Sequence, residues 1–113
     1  MLVAMSDVLE PLPSLTRRQE EILMFVGHTY ARRRQAPLLT EIREHLGLSK
    51  RTNIEPYLLP LYEKGYLLSG PRFGRRALQL TPLAIEMLEV LLKEGASDHD
   101  LNELIQKFRA QDQ

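Results

Sequence analysis

Between the apolar residues Leu48 and Ile54 the chain places Ser49-Lys-Arg-Thr-Asn53, a run of short or basic polar side chains. An asparagine amide can pair two-pronged with the N6 and N7 edge of adenine. Lysine and arginine can do the same with guanine O6 and N7, or grip phosphate oxygens. Asn53 suits the first task, and Lys50 and Arg51 suit either form of the second. Thr52 adds a short hydroxyl, which equally serves as a helix cap. Tyr57, one helical turn beyond Asn53, can donate to a phosphate, pack on a sugar, or close the edge of a core. A second cluster follows: Arg72, Arg75 and Arg76 surround Phe73 in a stretch containing Gly70 and Gly74. Glycine lets a backbone bend close to a surface, and arginine suits phosphate or a narrow minor groove. The same residues could form a plain solvated hairpin tip, but such a tip gains nothing from Phe73. That ring inserts at a groove or folds back on Leu68.

Other chemistries find no support. The 113 residues include no cysteine, so disulfides, thiolate metal sites and thiol catalysis are excluded. His28, His45 and His99 have no further ligands at metal-binding spacing, and no Gly-rich phosphate loop or Ser/His/Asp set occurs. Arg32-Arg-Arg34 suits the last turn of a helix, where cations complement the dipole, or a phosphate contact. The expectation is a non-enzyme without cofactor, metal or identifiable small-molecule effector. No apolar run reaches 18 residues, and Met1 to Asp7 has neither the basic start nor the apolar centre of a signal peptide. A cytoplasmic protein associated with the bacterial nucleoid is expected.

The formal net charge is zero, yet the charge is segregated. Residues 16–80 hold twelve Lys/Arg against six acids, while residues 81–113 hold three against seven. A basic middle and an acidic tail point to a polyanionic partner for the middle.

These clusters need elements to hold them. Thr16-Arg-Arg-Gln19 has the form of a capping box and starts a first helix that runs to about Arg34. A second helix is expected from Thr40 as N-cap to Leu46, with Gly47 as its stop. A third opens on the apparent capping box Thr52-Asn-Ile-Glu55 and ends at Gly65. Ile42, Leu46, Leu48, Ile54, Leu58 and Leu61 recur at helical spacing and face one core. Pro56 and Pro60 fall inside this third helix, where each removes a backbone donor. Strand-like patterns follow at 66–69 and 76–80, joined by the basic, glycine-bounded loop. Thr81-Pro82 opens a fourth helix, from Pro82 to about Glu94. Its apolar residues nearly encircle it, which predicts one side on the core and another on a second subunit. A fifth helix begins near Ser97 or Asp98. Leu83, Met87, Leu88, Leu91, Leu104 and Phe108 are the expected dimer contacts.

Helix, helix, helix and hairpin is the order of a winged helix-turn-helix. The fold class is mainly α with a small β-hairpin, followed by C-terminal helices. Residues 1–14 form an arm, 15–80 the winged domain and 81–113 a helical dimerisation segment. Residues 15–80 resemble the N-terminal DNA-binding domain of LexA repressors. The resemblance lies in Leu15-Thr-Arg-Arg-Gln-Glu20, Glu41-Ile42, Leu46-Gly47, Leu58 to Lys64-Gly65, Ser69-Gly70, Gly74 and Arg76. It implies binding of duplex operator DNA as a dimer, with base-reading residues at the start of the third helix. There Thr52 stands where that family usually has Asn, Glu55 matches a family Glu, and Pro56 replaces a second acid. A different operator is therefore expected. The chain ends before an autopeptidase domain of the LexA type, so self-cleavage is not expected. The Leu80-Thr-Pro-Leu83 opening of the fourth helix is similar to PadR- and MarR-type regulators, which dimerise through a C-terminal helix. The expected function is sequence-specific binding of double-stranded DNA by a homodimeric transcriptional repressor. The alternatives are a winged-helix adaptor between proteins, or a DNA-architecture or replication-associated factor.

Overall fold

The structure is a computed structural model that describes residues 12–69, 78–95 and 98–111. The first helix, α1 (Arg17–Arg33), starts on the expected capping box. Thr16 Oγ1 accepts from the Gln19 N–H at 3.2 Å, and Gln19 Oε1 accepts from the Thr16 N–H at 3.0 Å. Two of the four donors a helix start leaves unpaired are thereby satisfied. The helix ends on Arg34, whose left-handed backbone (φ 58°) lets its N–H reach the Tyr30 carbonyl.

Two more helices complete a three-helix unit: α2 (Leu39–His45) and α3 (Glu55–Glu63). Helix α2 begins two residues earlier than expected. Its cap is Leu38 rather than Thr40, and Glu41 Oε1 takes the Leu38 N–H at 2.7 Å. Both helices end in Schellman turns built on glycine. At Gly47 (φ +74°) the Leu48 N–H returns to the Arg43 carbonyl, and at Gly65 (φ +86°) the Tyr66 N–H returns to the Leu61 carbonyl. No other residue enters the left-handed region so cheaply.

An antiparallel hairpin follows, β1 (Leu67–Ser69) paired with β2 (Leu78–Leu80) in the register Leu67↔Leu80, Leu68↔Gln79 and Ser69↔Leu78. Leu67 and Leu78 are buried while Leu68 and Gln79 face water. Helix α4 (Pro82–Lys93) then opens as expected, with Thr81 as cap and Pro82 in its first turn. The Thr81 hydroxyl accepts from the Ala84 N–H at 3.1 Å and donates to the Gly65 carbonyl at 2.6 Å. One side chain thus starts α4 and fastens it to the end of α3. Helix α5 (His99–Gln111) is capped by Asp98, whose Oδ1 accepts from the Leu101 N–H at 3.0 Å.

Helix α1 is the centre of the packing and touches α2, α3, α4 and α5. Ile22, Leu23, Val26, Ile42, Leu58, Leu61, Leu67, Leu88, Leu101 and Ile105 form one core, each at most 1% exposed. The closest approach is at Gly27. A Cβ there would sit 3.0 Å from Leu88 Cδ1 and 3.2 Å from Leu101 Cδ1. A hydrogen bond of 2.6 Å between His28 Nδ1 and Asp98 Oδ2 closes the same α1–α5 seam. The segment before α1 is tied down as well. Pro13 accepts from the Tyr66 hydroxyl, and the Ser14 carbonyl accepts from Lys64 Nζ at 2.7 Å.

Within one chain this packing already accounts for much of the apolar ring of α4. Met87 (8% exposed), Leu88 (0%) and Leu91 (7%) are consumed by the core of a single chain. Helices α1 and α5 and strand β2 cover α4 on several sides, so most of its apolar ring is buried within one chain. The outer stripe that remains is Pro82, Glu86, Val90 and Lys93.

Candidate nucleic-acid interface

The polar corner identified in the sequence lies between α2 and α3. It is a compact turn rather than the first turn of a longer helix. Ser49 Oγ accepts from the Arg51 N–H at 3.1 Å, and the Ser49 carbonyl accepts from the Thr52 N–H at 3.0 Å. Asn53 Oδ1 then accepts from the Glu55 N–H at 3.1 Å. Short polar side chains that bond their own backbone in this way compete with helix formation. That competition is why α3 begins at Glu55, with Ile54 as cap, and why the apparent capping box at Thr52 does not form. Thr52 is half-buried inside the turn. Asn53, one residue before the cap, takes the first N–H of α3 and keeps its amide NH2, the donor half of an adenine contact, unused in any described bond.

The later start also changes the proline reading. Pro56 is the second residue of α3, where a missing N–H costs nothing because no carbonyl precedes it in the helix. Only Pro60 lies inside. Tyr57 is half-buried at the core's edge, whereas Glu55 and Pro56 are exposed.

The turn is clamped from behind. Arg43 of α2, half-buried, donates from Nε to the Thr52 carbonyl at 2.7 Å. Sequence reasoning passed over this arginine. Its one signal was a cation in an otherwise inward-leaning position of α2, next to Ile42. Lys50 and Arg51 project from the clamped turn, exposed, and neither joins an ion pair among the described residues. Two unpaired cations beside a helix start present positive charge outward. Helix α3 itself contributes none: from Glu55 to Glu63 it holds two acids and no Lys or Arg. Tyr62, half-buried on this helix, has its phenol pKa raised above the usual 10.0, first by burial and then by the Glu55 carboxylate.

The remaining expected contacts divide. Arg72, Phe73, Arg75 and Arg76, between β1 and β2 in the sequence, lie outside the described residues. The Arg32–Arg34 triplet is partly engaged: Arg33 donates to Glu41 Oε1 at 3.0 Å, and Arg32 Nε lies 3.9 Å from Asp100 Oδ2. Glu41 ties α2 to α1, and the His45 ring stacks on Phe25 with centroids 4.2 Å apart. Among the described residues no group of three or more His, Cys, Asp or Glu could hold a metal ion, and no helix is long and apolar enough to cross a membrane.

Residues 13–75 match the family model of the LexA DNA binding domain. That interval holds all three helices of the unit, the clamped corner, β1 and most of the loop before β2. The chain belongs to the LexA DNA-binding-domain family. It is 30% identical over 86 residues to the LexA repressor of Shouchella clausii, covering 76% of this chain and 41% of that protein. It is 33% identical over 79 residues to the LexA repressor of Leuconostoc mesenteroides subsp. mesenteroides, covering 69% and 37%. With the LexA repressor of Desulforamulus reducens it shares 30% over 94 residues, covering 83% and 40%. The chain therefore spans about two-fifths of the length of these LexA relatives. No solved structure matches it. The LexA match extends past β1 through Gly70, Arg72, Phe73, Gly74 and Arg75.

Proposed function

We infer that this protein binds double-stranded DNA sequence-selectively and represses transcription, working as a homodimer. The observation that carries this is the Ser49–Asn53 turn. It is clamped by Arg43, it presents Lys50 and Arg51 unpaired, and it sits at the head of α3 within the interval matched to the LexA DNA binding domain. In the proposed complex the head of α3 enters the major groove, with Asn53 and Glu55 toward base edges and Lys50, Arg51 and Tyr57 toward edges or phosphates. Arg72, Phe73, Arg75 and Arg76 follow the backbone or minor groove. The relatives' name, LexA repressor, supports the repressing role. A cytoplasmic, nucleoid-associated location belongs to the same reading.

The dimer must use surface that one chain leaves free. Leu83, Leu104 and Phe108 are half-buried and remain candidates. An open groove of about 300 Å3 runs beside α4 and α5, lined by Leu12, Ile85, Val90 and Phe108 with the Glu89–Arg109 ion pair at its edge. We place the second copy there.

Titration of a random duplex at increasing salt tests the proposal. The logarithm of the affinity should fall linearly with that of the salt concentration, with a slope of about −0.9 for each phosphate neutralised. No binding at low salt, or a flat response, would reject DNA and favour an adaptor between proteins.

A further inference from the structure

Around α3 the residues divide by angle. Ile54, Leu58 and Leu61 point into the core and are at most 2% exposed, whereas Glu55, Pro56, Leu59 and Glu63 are exposed. With about 3.6 residues per turn, Pro56 and Glu63 fall nearly opposite the core, and Leu59 lies on the same outer face, roughly 45° to one side of that line. Leu59 is 49% exposed, one of three large apolar side chains so exposed among the described residues. It lies one turn, about 6 Å along the axis, behind Glu55. Glu55 and Glu63 stand on either side of it, and no cation shares the helix.

We propose that Leu59, with Pro56 beside it, reads thymine by packing on C5-methyl groups in the major groove. This rests on the DNA-binding function inferred above and names what its reading helix selects. A duplex offers apolar surface at its major-groove base edges only as the thymine methyl. The flanking carboxylates narrow the geometry. They are repelled by phosphates but can accept from the cytosine N4 amino group, so this face approaches a duplex over base edges and not over backbone. Affinity comes from Lys50, Arg51 and the other cations around the helix. The leucine adds discrimination, because a methyl packed against it leaves water and a bare pyrimidine edge does not. A preferred half-site therefore carries thymine opposite Leu59.

The test starts with the full chain and a duplex selected by it from a random pool. Each thymine of the selected duplex is replaced in turn by deoxyuridine, which removes the methyl and keeps every hydrogen-bonding group. Dissociation constants are measured for the wild type and for Leu59→Ala. Leu59 is a surface residue and alanine is a strong helix former, so an unchanged thermal midpoint confirms that the variant is folded. At one or two positions per half-site the wild type should lose about fourfold in affinity, the value of one buried methyl. Leu59→Ala should be indifferent at those same positions. If uridine costs the same in both proteins, or costs nothing anywhere while the wild type still holds its selected duplex, the assignment of Leu59 is overturned and DNA binding stands. If no duplex is selected even at low salt, the DNA reading falls and the leucine with it. If Leu59→Ala binds every duplex as the wild type does but loses a protein partner, this face belongs to protein and the proposal is wrong.

Discussion

Arg43→Met tests whether the reading corner works because it is held. Arg43 Nε donates to the Thr52 carbonyl at 2.7 Å, and the side chain is half-buried between α2 and the turn. A hydrogen bond from a charged donor is worth about 1.5–3 kcal/mol. Partial exposure lets water take over some of that, which puts the loss near the lower end, about 1.5 kcal/mol. Methionine keeps the apolar stem and removes only the guanidinium. If the Ser49–Asn53 turn must return to its clamped shape before it meets DNA, the lost free energy appears as roughly tenfold weaker binding. Fluorescence anisotropy with a labelled duplex, repeated across a salt series, separates this from a simple charge effect. The Nε donor faces a backbone carbonyl, so affinity should fall about equally at every salt concentration and the salt slope should not move. A slope shallower by about 0.9 would mean that Arg43 sits on a phosphate. Unchanged affinity would mean that the turn needs no clamp. Either result refutes the reasoning.

Three further outcomes are expected. Leu88→Ala should cost about 2–5 kcal/mol in urea unfolding, because Leu88 is fully buried against α1 at Gly27. The loss should be the same at low and high protein concentration, whereas a residue in a subunit contact gives a concentration-dependent loss. Gly65→Ala should cost about 1–2 kcal/mol, read as a lower thermal midpoint. The nearest atom, Leu83 Cδ2 at 3.5 Å, leaves room for a methyl, so the cost is the left-handed backbone itself. Tyr66→Phe should lose about 1 kcal/mol near neutral pH with the hydrogen bond to Pro13. It should also flatten the alkaline limb. Burial, then the Glu86 carboxylate, raises the Tyr66 pKa above 10.0 in the fold. The unfolded chain releases that proton first, so this contribution is complete below about pH 10 and drains away as the pH rises through the folded value. Stability measured between pH 9 and pH 11 (about one unit either side of the ordinary tyrosine value) should fall less steeply in the variant, with Tyr62 supplying what slope remains.

Helix ends were the most readable part of the chain, because they are set locally. The Thr16–Gln19 box, Thr81-Pro82, Gly47 and Gly65 each satisfy or terminate a helix with residues a few positions apart, and each stands where the sequence put it. The start of α3 was misread for an equally local reason. Thr52 and Glu55 have capping-box spacing, but Ser49 and Asn53 offer the backbone shorter bonds and win. What could not be read locally was who covers whom. Helix α4 looked like an element with a spare apolar side. The hydrophobic pattern counts apolar residues but not neighbours, and here α1, α5 and β2 supply enough of them within one chain. Arg43 escaped notice because its partner is a main-chain carbonyl nine positions away, which no side-chain motif records.

The absence of any cation from α3 bears on how such a protein changes its target. On the proposed function, the cations that grip a duplex lie in the turn before α3, beside Asn53, while Pro56 and Leu59 stand exposed on the helix itself. On that reading, altering Asn53, Pro56 or Leu59 is expected to redirect the protein to another site while leaving its hold on random DNA nearly unchanged. Trimming Lys50 or Arg51 is expected to lower occupancy at every site, wherever these cations meet phosphate and not a base edge.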